Sequence, residues 1–234
     1  MKNIILVLAA LIAGASLSAQ TPAAVAAPAP AYSVTVDFPY ASKYCFRAIK
    51  YAEGSFQPSV KLTTGAFYAG IWSNIPSDKG YELEVDYYAG YGFTLEDGWS
   101  LDVGATLYQY PGLDVPGTDN LTLEGYLGFN KTFGALASGT YGYYDATLKV
   151  FTIQQTLGYS VTVNDKVSIN YLGTIGYVSP DVGDSYTYYG FGATLPYKLS
   201  DTFTLTLGAQ YASHNLDGVE DGHFWGSIGL TKTF

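Results

Sequence analysis

Between Tyr32 and Phe234 the chain repeats one pattern: apolar and polar residues alternate over eight to fifteen positions, stop at Gly, Asn, Asp, Ser or Pro, and begin again. A period of two puts successive side chains on opposite faces, so each stretch predicts a strand with one apolar and one polar face. The clearest runs from Tyr81 to Leu95. Tyr81, Leu83, Val85, Tyr87, Ala89, Tyr91, Phe93 and Leu95 share one face, and Glu82, Glu84, Asp86, Tyr88, Gly90, Gly92 and Thr94 the other. Trp99, Leu101, Val103, Ala105 and Leu107 alternate in the same way with Asp102, Gly104, Thr106, Tyr108 and Tyr110. So do Phe203, Leu205, Leu207, Ala209 and Tyr211 with Thr204, Thr206, Gly208 and Gln210. No helical period is sustained, and the predicted class is all-β.

The connections sort by length. Short links fall at Thr64-Gly65, Glu96-Asp97-Gly98, near Asn130-Lys131, at Asn164-Asp165-Lys166 and at Leu199-Ser200-Asp201. Between them come longer ones: Tyr51 to Ser55, Asn74 to Gly80, Gly112 to Asp119, Gly139 to Gly142, Ser179 to Asp184 and Asn215 to Gly222. This alternation predicts an antiparallel up-and-down meander with turns at one rim and loops at the other, as in a transmembrane β-barrel. The links divide the chain into twelve strands and return both termini to one side. Ten also fit, because Phe129 to Val150 reads as a short strand, Lys131 to Ser138, followed by a phase shift near Val150.

Composition bears on what faces water. Only 13% of residues are charged, while Tyr numbers 23 and Gly 27. Water-facing strands usually carry Lys and Glu; here the polar faces carry mostly Gly, Thr, Ser, Asn, Gln and Tyr. Aromatics close the apolar faces at Tyr81, at Leu95 to Trp99 and at Tyr197, in the manner of the girdles at a bilayer's two interfaces. The apolar parity is therefore expected to face lipid, with a secreted sandwich or lipocalin-like barrel as the soluble alternative. The longest apolar run, Ile4 to Ala15, is too short for a membrane-spanning helix. With Lys2 before it and Ser16-Leu17-Ser18-Ala19 behind, it predicts a signal peptide over 1–19, with cleavage after Ala26 as the alternative. Residues 20–31 follow as an Ala/Pro-rich leader, and 32–234 as the barrel domain.

A net charge of −9 with no Lys/Arg cluster excludes nucleic acid as a partner. The single cysteine, Cys45, has no partner in the chain and reads as a buried or lumenal thiol. The last strand, His223 to Phe234, ends on an aromatic. That ending resembles the signal read by the outer-membrane barrel assembly machinery.

Several segments in order resemble one family. They are Ser42-Lys43-Tyr44-Cys45-Phe46-Arg47-Ala48-Ile49, then Gly65-Ala66-Phe67-Tyr68-Ala69-Gly70-Ile71-Trp72-Ser73-Asn74, Tyr88-Ala89-Gly90-Tyr91, Leu101-Asp102-Val103-Gly104, Tyr108-Gln109-Tyr110-Pro111-Gly112 and Leu230-Thr231-Lys232-Thr233-Phe234. Together these are similar to the TorF family of porins of Gram-negative bacteria. Ala48 stands where that family usually has Gly, and 120–200 matches loosely. The resemblance implies an outer-membrane barrel of porin type and names no solute.

On the polar parity, Lys43, Arg47 and Lys61 fall on the first two strands, and Glu82, Glu84, Asp86, Asp102 and Glu124 on the fourth to sixth. These eight are the candidate pore-lining residues. They predict one basic and one acidic wall, with a neutral third wall of Thr, Ser, Asn and Gln. Twelve strands at ~4.8 Å spacing and ~40° tilt enclose a lumen roughly 10 Å across once side chains are counted. Lumenal glycines are expected to widen it, and Trp72, Tyr88, Tyr108 and Tyr110 to narrow it. The expected function is passive diffusion of small polar or charged solutes, with a transverse field between the two charged walls. A closed structural or adhesive barrel is the alternative. A rim hydrolase ranks lower: His214 and His223 flank a loop that reads as solvated, and no nucleophile pattern accompanies them. Neither that loop nor Asp181-Val182-Gly183-Asp184 has EF-hand spacing, so no metal, cofactor or enzymatic activity is expected.

Overall fold

The computed structural model describes residues 32–113 and 120–234. The signal peptide and leader lie outside the described residues. The strands are β1 (Ser33–Ala41), β2 (Tyr44–Phe46), β3 (Ile49–Ala52), β4 (Ser55–Phe56), β5 (Ser59–Thr64), β6 (Phe67–Pro76), β7 (Glu84–Thr94) and β8 (Trp99–Gln109). They continue with β9 (Leu121–Phe133), β10 (Leu136–Asp145), β11 (Val150–Asn164), β12 (Val167–Pro180), β13 (Tyr186–Lys198), β14 (Phe203–His214) and β15 (His223–Thr233). From β5 onward each strand pairs antiparallel with its chain neighbour, β1 pairs with β4 and β5, and β15 pairs β1 from Thr35↔Thr233 to Ala41↔Ser227, which closes the sheet into a barrel.

β4 and β5 form one broken stave between β1 and β6, so the wall has twelve. The break falls at Gln57-Pro58, because Pro58 has no N–H to give the ladder. Flanking hydrogen bonds hold the wall shut, Gln57 N–H to the Pro39 carbonyl at 2.9 Å and Ser73 N–H to the Pro58 carbonyl at 3.0 Å. Closure removes every strand edge that could recruit another chain. The terminal aromatic takes part in the seam: Phe234 N–H donates to the Val34 carbonyl at 2.9 Å.

The apolar parity faces outward. Phe38, Val60, Ile71, Tyr87, Leu123, Leu127, Ile153, Leu157, Ile175, Phe191, Leu207, Ile228 and Leu230 are all exposed on the outer surface. Only lipid leaves such a surface without a large hydrophobic penalty. At the rim carrying the short turns and the termini, Lys131 lies 4.9 Å from the Trp99 ring and Lys232 lies 4.4 Å from the Phe203 ring. Both lysines face outward yet lay their stems along aromatics, the snorkelling expected at a bilayer interface. Tyr81 departs from the expected girdle: β7 begins only at Glu84, and Tyr81 turns inward against the cluster of Tyr44, Trp72 and Tyr88.

Two stretches of the expected strand map are corrected. The β9–β10 turn is at Gly134-Ala135, not near Asn130-Lys131, and Gly139 to Gly142 lies inside β10. Gly134 has φ +63°, the left-handed backbone a tight turn requires, whereas no such φ marks Gly139 or Gly142. The corresponding loop is residues 146–149, anchored by the Asp145 carboxylate, which accepts from Thr147 N–H at 2.9 Å and Leu148 N–H at 2.7 Å.

The second correction is larger. The first stave ends at Ala41, and the residues before β4 form a separate hairpin, β2–β3, paired with neither wall neighbour. Its turn residues Arg47 and Ala48 have φ of 49° and 65°. Positive φ at both central residues is the signature of the turn that matches hairpin twist, and it strains any residue but Gly by ~1 kcal/mol or more. Burial of the Ala48 methyl against Val178, Tyr188 and Ala212 offsets part of that strain, by about 0.8 kcal/mol.

Candidate functional site

The hairpin crosses the lumen at the loop-bearing end. At its root, Tyr44 and Ala52 pack with Tyr68, Trp72 and Tyr88 of β6 and β7, and the Tyr44 and Trp72 ring centroids are 5.3 Å apart. Midway, Phe46 stacks toward Tyr108 of β8. At its tip, Ala48 reaches β12, β13 and β14.

Arg47 fixes the tip. Its guanidinium contacts both carboxylate oxygens of Glu124 on β9, at 2.9 and 2.8 Å, and lies 4.5 Å from the Phe46 ring and 4.9 Å from the Tyr143 ring. Tyr108 donates a further hydrogen bond to Glu124 at 3.0 Å. The side chains of Arg47 and Glu124 are 11% and 3% exposed, so the pair is shielded from water and retains most of its attraction.

A second pair holds the hairpin at the mouth. Lys50 of β3 donates to Glu53 and to Glu220, each at 2.7 Å, and Glu220 belongs to the loop between β14 and β15. The Lys50 hydrogen bond holds the Glu220 carboxyl below its usual range. The neighbouring Asp221 is lowered first by the His214 backbone N–H that it accepts at 2.7 Å. His214 and His223 are buried beneath this loop rather than solvated, each with Nε2 within 3.1 Å of the Glu220 carbonyl. Cys45 sits opposite Lys50 in the hairpin, and burial pushes its thiol up to about 12, so it is unreactive at neutral pH.

The predicted site residues separate accordingly. Glu84 and Asp86 on β7 and Glu124 on β9 face inward on either side of β8 and are buried. Asp102 lies on β8 four residues beyond the position that faces Glu124, where Tyr68 donates to it at 2.8 Å and Tyr141 at 3.2 Å. Lys61 faces inward on β5 with its amine 5.1 Å from the Tyr68 ring. The remaining three are not on the wall. Arg47 is the hairpin's tip and Lys43 lies in the link leading to it, so the expected basic wall does not exist. Glu82 precedes β7 on an exposed loop. Lys50 and Tyr143 escaped the sequence reading, which has Tyr108 only as a residue that narrows the lumen. The available signal was length: Tyr32 to Tyr51 is about twice the ~10 residues a membrane stave needs.

Lumenal glycines do not simply widen the passage. Register places Tyr88 opposite Gly70, Tyr68 opposite Gly90, Tyr126 opposite Gly104, Tyr141 opposite Gly128 and Tyr188 opposite Gly176. In each pair the ring lies over the glycine so closely that a methyl group there would collide with it. The tyrosines are thus folded flat on the wall, with hydroxyls free to bond: Tyr141 accepts from Asn130 at 3.0 Å while donating to Asp102. These pairs give five of the 23 Tyr and five of the 27 Gly a place on the inner wall.

Comparison with known proteins agrees with this architecture. The family described as "Bacterial protein of unknown function (Gcw_chp)" matches residues 25–233, and the chain belongs to it. Among solved structures, a KdgM porin in complex with disordered oligogalacturonate is similar at TM-score 0.58 and 12% identity, covering 86% of this chain and 99% of that one. A NanC porin gives 0.56 at 15% identity, over 85% and 98%. The COG4313 outer membrane channel from Pseudomonas putida F1 gives 0.55 at 11%, over 89% and 97%. At these identities the likeness establishes a shared barrel fold. No curated protein matches the sequence significantly.

Proposed function

We propose that this Gcw_chp-family barrel is a porin-like channel of the Gram-negative outer membrane, carrying small polar or charged solutes by passive diffusion, with the β2–β3 hairpin as its constriction. The reading rests on one observation: a closed wall that is apolar outside and polar inside. Along β11, Thr152, Gln154 and Thr156 are buried beside the hairpin, while Ser160 and Thr162 further along the same face are accessible. Water reaches that stretch of β11, and the hairpin narrows the passage beyond it. Glu84, Asp86, Asp102, Glu124, Arg47 and Lys61 line the route, with Lys43 and Glu82 nearer its mouth. Carboxylates outnumber cations among them, which favours cations over anions. The oligogalacturonate of the KdgM complex is a polyanion, and this lumen is poorly suited to one. The TorF resemblance supports the same class of function. Lipid meets the apolar belt, and Phe234 offers the assembly machinery its terminal aromatic.

Planar-bilayer recordings of refolded protein test this. Cation-selective conductance is expected, and it should rise several-fold when residues 43–53 are replaced by a short Gly/Ser link. Absence of conductance above bare lipid in both forms sinks the reading. One observation favours a second: the hairpin's contacts reach the far wall, as in a closed structural barrel. That reading gains if the native chain is silent and only the hairpin deletion conducts.

A further inference from the structure

On the wall beside the hairpin's root, oxygen acceptors are left over. Asn74 is 1% exposed and its Oδ1 has no hydrogen-bond partner; Asp86 is 8% exposed and its Oδ1 has none either. Glu84 adjoins both. Register sets Asn74 on β6 opposite Glu84 on β7, and Trp72 opposite Asp86. Opposed residues project to one face with Cβ atoms about 5 Å apart, and residues two apart on a strand are separated by about 7 Å. Two carboxylates and an amide oxygen therefore converge on one small patch of lumenal wall.

The patch has no cation of its own. Arg47 is held by Glu124 at 2.8 Å, and Lys61 stands over the Tyr68 ring. Glu84 receives only neutral donors, the Tyr44 hydroxyl and the Tyr110 hydroxyl, the latter at 3.2 Å. Two buried carboxylates without a counter-ion are strongly unfavourable, and an orphaned Asn oxygen beside them adds to the penalty. One ligand relieves all three at once.

We propose that Asn74, Glu84 and Asp86 form a binding site for a divalent metal cation of the calcium type. The donors are all oxygen, which selects a hard ion. They are one amide and two carboxylates spread over two strands, an irregular set that Ca²⁺ accepts and that Mg²⁺, with its strict octahedron and reluctant dehydration, does not. The two carboxylates balance the ion's charge. Among the described residues no third His, Cys, Asp or Glu joins them, so water completes the shell. Occupancy would tie β6 to β7 beneath the cluster of Tyr44, Ala52 and Trp72, stiffening the end of the barrel where the hairpin is rooted.

The site lies beside its own reporter. Trp72 faces Asp86 across the strands and Tyr44 packs against Trp72, so bound Tb³⁺ should emit when the aromatics are excited. In refolded full-length mature protein, terbium alone should give saturable sensitised emission, displaced by Ca²⁺ and not by an equal concentration of Mg²⁺. Asp86→Asn and Asn74→Leu should each weaken terbium binding by about tenfold or more. Glu82→Gln, on the exposed loop, should leave it unchanged. Trp72→Phe should dim the emission while calorimetry with Ca²⁺ keeps its affinity. Heat-modifiable migration checks that each variant has folded; should Asn74→Leu fail to fold, Asp86→Asn, which removes an uncompensated charge, decides alone. The proposal is overturned by absence of saturable emission, by full emission from folded Asp86→Asn, by equal displacement by Mg²⁺, or by loss of binding in Glu82→Gln. None of these outcomes depends on whether the barrel conducts.

Discussion

Two ion pairs hold one hairpin in opposite surroundings. Arg47 and Glu124 meet in the lumen with side chains 11% and 3% exposed, whereas Lys50 meets Glu220 at the mouth with 15% and 63%. Their closest approaches are nearly the same, 2.8 and 2.7 Å. What differs is the alternative open to each partner when the other is lost. Water solvates an abandoned Glu220 at once; it reaches an abandoned Glu124 only if the hairpin moves. The buried pair therefore fixes where the hairpin lies, and the exposed pair adjusts how firmly its outer edge is held.

The largest break in this comparison comes from Arg47→Ala. It strands a buried carboxylate and removes the contacts to Phe46 and Tyr143, and should destabilise the refolded barrel by about 3–5 kcal/mol in urea titrations followed by tryptophan fluorescence. Adding Glu124→Gln should recover a large part of the loss, because the neutral amide can be buried more cheaply. If the double variant is as unstable as the single, packing rather than charge is what the pair supplies.

Tyr108→Phe gives a smaller effect on the same pair. The hydroxyl donates to Glu124 at 3.0 Å, and its loss should cost about 1–3 kcal/mol in the same titration. Combined with Arg47→Ala, the loss should fall short of additive, since both changes act on one carboxylate. Additivity within error would show that Tyr108 stabilises the wall independently of the hairpin.

The two pairs also differ in how far the sequence disclosed them. Strict alternation from Glu84 to Thr94, Trp99 to Leu107 and Phe203 to Tyr211 is enforced by lipid on one side and a polar lumen on the other, so the wall was legible. It also placed Glu84, Asp86, Asp102, Glu124 and Lys61 correctly on the inner face. The hairpin obeys neither constraint. Its strands are three and four residues long, and its turn carries Arg47-Ala48 where positive φ would lead one to look for Gly or Asn. The β9–β10 boundary was misplaced for the converse reason. Gly139 and Gly142 read as loop residues, yet they are wall glycines, and Gly139 makes room for the side chains of Asn130 and Thr156. Parity reveals which way a side chain points and not which partner it finds, so Arg47 reading as part of a basic wall and Arg47 bound to Glu124 share one sequence pattern.

The exposed pair should give the smallest effect, visible in pH dependence. Lys50 lowers the Glu220 carboxyl in the folded chain, with His223 and Lys43 contributing in the same sense. A group lowered on folding stabilises the fold fully above its unfolded value, near the ordinary 4.5, and the contribution is lost as pH falls through the lower folded value. The mouth contact should therefore persist at pH 5 and fail only in the window beneath 4.5. Because Glu220 is open to solvent, barrel stability should scarcely register the change. Amide hydrogen exchange in the β14–β15 loop and β3 should register it, rising below that window in the native chain and already raised at neutral pH in Glu220→Gln. Asp221 is also lowered, chiefly by the His214 N–H, so Glu220→Gln in an Asp221→Asn background separates the two. Exchange in the Arg47 turn should stay unchanged throughout, because Arg47 and Glu124 hold the tip independently of the mouth contact. A rise there in step with the mouth would mean that the two pairs release together and that the hairpin moves as one piece.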